Sequence, residues 1–355
     1  MLLTKISLLN FRNISQKQSE LHKNVTIITG PNSVGKTNIL ESLYLLMTGS
    51  GIKDEKQDEL ISIGQTIATI EGDILENDNS TTFRIYLERG VAVKKVFSIN
   101  KTQKRLFEYG KQTIPSVFFT PKLVYVIDGD PASRRKFIDR ILSKLDIEYK
   151  KRLHNYETAL RKRNKILEKV YDVNKLRDEL PFWDEYLIEQ ADYICAKREW
   201  FVEKLNTGVQ VTNHEFKLEY SKKEMSKNTL EETFDKQYVL KSTRVGPQRD
   251  SYEIIQKNLL QKNPEEKNVH QFGSRSEQRL ALFWIIVNEL KLYEETFTIR
   301  PLLLLDDIFS ELDEINREYV IDLIGKYQTV ITKTNEEKIK LGKLPHLVID
   351  MSSTE

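Results

Sequence analysis

Apolar and polar positions change their period along this chain, and the changes divide it. Residues 3–11 and 25–29 are apolar runs of strand length. After one intervening helix, TIATIEGDI and TTFRIYLERGVAVKKVFSIN alternate with period two, broken by Asp, Asn and Gly turn signals. From Pro131 the spacing shifts. Leu142, Leu145, Tyr149, Leu153, Tyr156 and Leu160 recur at intervals of three or four, which predicts one face of a single long helix. Trp183, Leu187, Ala191, Ile194 and Phe201 predict a second. Residues 221–240 and the stretch QKNLLQKNPEEKN turn polar and read as connectors. EQRLALFWIIVNELKLY is apolar nearly all round, as a helix inside a sheet-based core must be. PLLLLDD follows as a strand buried on both faces, then DEINREYVIDLIGKY as a helix and TVIT as a strand.

Composition changes this picture little. The chain has 355 residues, room for two domains, with 39% hydrophobic and 30% charged residues, the balance of a globular protein. No apolar run approaches the ~18 residues of a membrane span, and MLLTKISLLNFRN reads as a first strand rather than a signal peptide. A single cysteine, Cys195, excludes a disulfide framework and a cysteine-based zinc site, so the expected compartment is the cytoplasm. Cys195 and Trp284 are read as core residues. The histidines lie far apart, without metal-ligand spacing. Net charge is only +2, so any nucleic-acid contact must come from local clusters of Lys and Arg.

The chemistry is carried by Gly30-Pro31-Asn32-Ser33-Val34-Gly35-Lys36-Thr37, a G-x-x-x-x-G-K-[ST] phosphate loop between the strand VTIIT and a helix ending near Gly49. Its glycines let consecutive N–H groups turn toward phosphate oxygens, and the helix N-terminus favours an anion. Lys36 is expected to reach the β- and γ-phosphates of ATP, and the Thr37 hydroxyl to hold Mg²⁺.

Such a loop needs an acid at the end of a buried strand, and Leu302-Leu303-Leu304-Leu305-Asp306-Asp307 has that shape. Asp306 is assigned to Mg²⁺ and Asp307 to orienting or deprotonating the attacking water. Asp307 as a helix cap or ion-pair partner is the bland alternative. Loop and acid must meet at one nucleotide although the sequence separates them widely. The expected fold is therefore α/β: an ATPase head split between residues 1–128 and 236–355, with a helical arm, 129–235, inserted.

At this point the residues resemble a known family. The arrangement looks like the ABC-type head shared by SMC, Rad50 and RecF proteins, and details favour RecF. The similar blocks are Leu9 to Asn13, Leu40 to Tyr44, Asp58 to Ile61, Phe119-Thr120-Pro121, Gly129-Asp130-Pro131 and Arg134 to Asp139. Tyr156, Leu160, Arg163, Asn164, Trp183-Asp184, Val245 to Asp250, Phe272-Gly273-Ser274 and Leu303 to Asp313 continue the match. The resemblance implies a head that closes as an ATP-dependent homodimer on DNA. Ser274 would reach the γ-phosphate in trans, and Ser310-Glu311-Leu312-Asp313 would touch the partner's site. It further implies slow ATP hydrolysis as a reset, binding to duplex or gapped DNA without sequence preference, and cooperation with RecR-like and RecA-like proteins in repair. Arg12 is placed near the nucleotide by the resemblance, with an ordinary surface arginine as the other reading.

Two departures stand out. The family's Ser-Gln-Gly-Gln is here Ser274-Arg275-Ser276-Glu277, and the acidic pair after Pro121 is missing. A Glu277 anion ~4 Å from phosphate, at an effective dielectric of ~20, would cost about 4 kcal/mol. The expectation is that Glu277 turns aside to pair with Arg275 or Arg279, or that closure weakens. Arg134-Arg135-Lys136, Lys150-Lys151-Arg152 and Arg161-Lys162-Arg163-Lys165 are candidate DNA contacts, with a solvated helix face as the alternative. A chromosome-tethering head would need a longer coiled coil. A nuclease has no room after the last strand, and a transporter subunit is disfavoured only by the RecF-like blocks.

Overall fold

The computed structural model describes residues 1–51, 57–170, 172–211, 213–260, 262, 264–309, 314–334 and 341–352, with backbone alone at 314–316. The chain opens with β1 (Leu2–Phe11), β2 (Ile14–Glu20), β3 (Val25–Thr29), α1 (Lys36–Thr48), β4 (Ile67–Glu76), β5 (Asn79–Glu88), β6 (Lys94–Ile99), β7 (Thr102–Lys104), α2 (Leu106–Gly110) and β8 (Ser116–Phe119). Next come α3 (Tyr125–Asp128), α4 (Pro131–Leu145), α5 (Ile147–Lys169), α6 (Val173–Asn206), β9 (His214–Ser221), α7 (Lys227–Glu232), α8 (Phe234–Leu240), β10 (Ser251–Asn258), β11 (Glu266–Asn268) and α9 (Val269–Phe272). The last elements are α10 (Arg275–Phe297), β12 (Leu302–Leu305), α11 (Glu314–Ile324), β13 (Thr329–Lys333) and β14 (His346–Asp350).

These elements form two compact units, 1–122 with 289–355, and 123–288. The first holds two sheets. One is antiparallel, in the order β2-β1-β4-β5-β6-β7. Its hairpins turn where short polar residues accept the left-handed conformation, at Asn77 (φ 47°) and Asp78 (φ 63°) between β4 and β5. The other sheet is parallel, in the order β14-β3-β13-β12-β8. Strands β3, β8, β12 and β13 are buried along nearly their whole length because both their faces are covered, whereas the edge strand β14 is largely exposed. Helix α1 packs against strands of both sheets. That is why Leu40, Leu45 and Leu46, on different sides of it, are all buried. At roughly 1.5–3 kcal/mol for each buried leucine, these contacts pin the helix that carries the phosphate loop.

The second unit corrects three expectations. The long helix predicted through Leu160 is two helices, broken at Asp146, whose side chain accepts the Tyr149 N–H and caps α5. Both helices bury the same face, so the apolar period runs through the break unaltered. The polar stretch 221–240 contains α7 and α8, the first opened by a Ser226–Thr229 capping box. The arm is also not wholly helical: the antiparallel sheet β11-β10-β9 belongs to it, and the compact unit continues to Asn288 rather than ending at 235. The missed signal was the alternation of Phe216 and Leu218 on β9, matched by Tyr252 and Ile254 on β10, all buried. Trp284 stacks on Phe216 at 5.6 Å, as a core residue. Cys195 is buried too, and burial pushes its thiol up to about 11. No helix among the described residues is long and apolar enough to cross a membrane.

Candidate nucleotide site

Parallel strands end on one edge of their sheet, so the segments leaving β3, β8, β12 and β13 converge there, where open α/β sheets take their ligands. From β3 the chain enters the phosphate loop. Ser33 (φ 66°) and Gly35 (φ 106°) are left-handed, and a Cβ at position 35 would stand 2.8 Å from the Asn13 Oδ1. Asn13 braces the loop from the β1–β2 turn: its Nδ2 donates to the Ser33 carbonyl at 3.2 Å, and its Oδ1 accepts from Asn38 at 2.6 Å. Helix α1 then starts with no side-chain cap and no acid in its first turn. Its leading N–H groups and the positive end of its dipole remain available to an anion. Lys36 Nζ lies over the loop, donating to the carbonyls of Gly30 and Pro31 at 2.7 Å each.

From β12 comes Asp306, its N–H tied to the Phe119 carbonyl at the end of β8. Its buried carboxylate accepts three hydroxyls: Thr37 at 2.9 Å to Oδ1, Thr120 at 3.0 Å to Oδ2, and Thr332 at 2.7 Å to Oδ1. Loop and acid, 269 positions apart, thus share a hydrogen bond. Asp307 follows with φ 48°, its N–H donated to the Thr332 Oγ1 at 3.0 Å. Thr120 and Thr332 had no assigned role in the sequence. What marks them is a hydroxyl at the end of a buried strand in the sheet that bears the loop. Gly35, Lys36, Thr37, Asp306, Asp307 and Thr332 line a cavity of about 290 Å³, which Asn32 and Ser33 also border. A neighbouring one of about 1030 Å³ shares Asn13 and Asn38 and is walled by Arg12, Asp58 and Arg89. Arg12 is no free surface arginine: its Nε pairs with Glu41 at 2.7 Å.

Hydroxyl and carboxylate oxygens side by side are the hard donors magnesium takes, and the ion needs only one or two protein ligands when phosphates supply the rest. The oxygens of Thr37 and Asp306, within hydrogen-bond distance of each other, therefore fit Mg²⁺. Among the described residues no group of three or more His, Cys, Asp or Glu side chains forms a separate metal cluster.

Ser274 belongs to the second unit, at the start of α10. Its N–H donates to Glu277 Oε2 at 2.8 Å, and its Oγ accepts the Glu277 N–H at 3.3 Å, a reciprocal capping box. The altered signature is thus a good helix start. The ion partner of Glu277 is Lys267 on β11, at 2.6 Å, rather than Arg275 or Arg279. Burial raises the affinity of this carboxyl for a proton, but the Lys267 ammonium and the Ser274 N–H outweigh it and hold its pKa below the usual value. Ser310-Glu311-Leu312-Asp313 lie outside the described residues.

The basic clusters divide. Arg134 is buried and donates to the carbonyls of Ile127 and Gly129, and Arg135 to that of Asp250. Arg152 pairs with Glu148 and Glu189. Arg163, also buried, binds Asp184, Gln237 and Thr243. These arginines hold the second unit together, whereas Lys150, Arg161, Lys162 and Lys165 stay exposed. Charge runs in one dimension cannot separate the two groups.

A phosphate loop and a Thr37-bound acid on one edge of a parallel sheet, in a head interrupted by an inserted unit, define a P-loop ATPase head of the ABC type. Comparison with known proteins narrows this class. Residues 2–343 match the RecF/RecN/SMC N terminal domain. The DNA replication and repair protein RecF of Natranaerobius thermophilus is 30% identical, over 95% of this chain and 92% of its own length. That of Clostridium novyi is 31% identical, over 94% and 93%. A solved structure of the recombination mediator protein RecF-ATP in the RecFOR pathway matches at a TM-score of 0.83 and 27% identity, covering 95% of this chain and 93% of that one. The chain belongs to the RecF family.

Proposed function

We propose that this protein is an ATP-dependent DNA-binding protein of recombinational repair and replication, which closes as a nucleotide-bound dimer on DNA and helps place recombinase at gaps. The observation that carries the reading is the hydrogen bond from Thr37 to Asp306, which joins the phosphate loop to the strand-end acid 269 positions away. The relatives named for DNA replication and repair, and the solved RecF-ATP structure, support it.

In this reading the loop N–H groups and the α1 terminus cradle the phosphates, and Lys36 leaves the carbonyls of Gly30 and Pro31 for the β- and γ-oxygens. The larger adjoining cavity has room for base and ribose. Thr37 and Asp306 would hold magnesium, which would supply neutralisation of the triphosphate's charge. Thr37 can offer it an oxygen lone pair while still donating its proton to Asp306. Asp307 carries the carboxylate that orients the attacking water, and Ser274 meets the γ-phosphate bound by a second copy. Hydrolysis is slow and reopens the dimer. DNA is held through phosphates without sequence readout, which suits the exposed cations that remain on α5. The protein works in the cytoplasm with RecR-like and RecA-like partners.

Light scattering with a slowly hydrolysed ATP analogue, with and without duplex DNA, tests the proposal. Two chains are expected to join in nucleotide, and Lys36→Met is expected to abolish ATP binding and dimerisation together. A wild-type protein that stays monomeric in saturating nucleotide refutes the clamp.

A further inference from the structure

We propose that Thr332 is a positioning residue that sets both acids of the site at once, so that metal affinity and turnover depend on one hydroxyl that is itself no ligand. The inference rests on the nucleotide reading given above. A threonine hydroxyl has one proton to give and lone pairs to receive. Here the proton goes to Asp306 Oδ1 at 2.7 Å, and a lone pair takes the Asp307 N–H at 3.0 Å. Thr332 can do both because β13 lies between the loop strand and the acid strand: it is registered with Ile28 of β3, and its neighbour Ile331 with Leu305 of β12. It is 1% exposed, so water does not replace what it supplies.

The two bonds do different things. Asp306 must keep an oxygen toward the Thr37 hydroxyl, and with donors on both oxygens its carboxylate has one settled orientation. Asp307 has φ 48°, a left-handed conformation that residues with a Cβ adopt at a cost, and a backbone there needs an outside hold. The Thr332 oxygen is the acceptor for its N–H and so fixes the direction in which its side chain leaves the strand end. Thr120 supplies an internal contrast, because its hydroxyl reaches Asp306 and not Asp307. Loss of the Thr120 hydroxyl disturbs one acid, and loss of the Thr332 hydroxyl disturbs both.

The test uses the full chain with Thr332→Val, Thr332→Ser and Thr120→Val. Mn²⁺ binding in the presence of ATP is followed by electron paramagnetic resonance, and steady-state turnover is measured at saturating metal. Thr332→Val is expected to raise the Mn²⁺ half-saturation about tenfold and to lower saturated turnover about tenfold, the size of effect set by one lost hydrogen bond at each acid. Thr120→Val is expected to raise the Mn²⁺ half-saturation alone, and Thr332→Ser, which keeps the hydroxyl, to stay within about twofold of wild type. Unaltered Mn²⁺ binding in Thr332→Val overturns the inference. So does a Thr120→Val variant with equally depressed saturated turnover, or a folded Thr332→Ser variant as impaired as Thr332→Val. Should Thr332→Val fail to fold, a folded Thr332→Ser variant impaired about tenfold in either measurement, or a Thr120→Val variant with saturated turnover lowered about tenfold, overturns the inference. Thr332→Ser within about twofold of wild type, together with a Thr120→Val loss confined to Mn²⁺ binding, supports it. Wild-type protein that binds no Mn²⁺ with ATP refutes the nucleotide reading itself, and the inference with it.

Discussion

Replacing Lys267 by Met isolates the charge that Glu277 brings to the start of α10. Lys267 Nζ stands 2.6 Å from Glu277, with the two side chains 34% and 20% exposed. A partly screened pair of this kind contributes about 1 kcal/mol to folding, and the Ser274 N–H continues to hold the carboxylate after the lysine has gone. Stability should therefore fall little. Closure should suffer more, because Glu277 would then bring an uncompensated charge toward the partner's triphosphate. The repulsion is about 4 kcal/mol at ~4 Å with a dielectric of ~20, and about 1 kcal/mol at ~8 Å with ~40. Because the closed homodimer has two such contacts, ATP-driven dimerisation should weaken between roughly thirtyfold and a millionfold, while ATP binding to the single chain stays unchanged. Sedimentation in a slowly hydrolysed analogue reads the first quantity, and nucleotide titration of the dilute monomer the second. Adding Glu277→Gln to Lys267→Met should restore dimerisation. A Lys267→Met protein that dimerises like wild type, or a double variant no better than the single, would show that Glu277 does not face a partner's phosphate.

Other outcomes follow from the same geometry. Asp307→Asn should keep ATP and DNA binding but stop turnover, leaving a persistent dimer in sedimentation; rapid hydrolysis would remove Asp307 from water orientation. Arg198→Met should destabilise the fold by about 3–5 kcal/mol in thermal denaturation, since it strands the carboxylates of Asp139 and Asp250 that Arg198 binds at 2.9 and 2.7 Å; a loss below ~1 kcal/mol would mean the network contributes little. Asp146, pushed up by burial but held below its usual pKa by Lys197, the Tyr149 N–H and Tyr193, stabilises the fold above the unfolded pKa near ~4. That contribution is lost as pH falls through the lower folded value, so Asp146→Asn should flatten acid unfolding in this window. Lys150, Arg161 and Lys165 changed together to Glu should reduce the salt slope of DNA binding. An unchanged slope would take α5 out of the interface.

What can be read from the order of residues here is whatever depends on near neighbours. The phosphate loop is such a feature, because its glycines, lysine and threonine act within one turn of backbone, and so is the buried strand that delivers Asp306. The wide gap between them sufficed to imply a split head, because one nucleotide must join both. Three kinds of fact came only with the tertiary structure. Thr120 and Thr332 converge on Asp306 because β8 and β13 flank β12 in the sheet, an order unlike their order in the chain. Arg134, Arg135 and Arg163 became internal struts because their partners lie on other elements, while equally basic neighbours stayed in solvent. Lys267 answers Glu277 from a strand of three residues inside a stretch that looked like a linker. A side chain's role is set by what stands within hydrogen-bond reach of it, and for these residues only the folded sheets decide what that is.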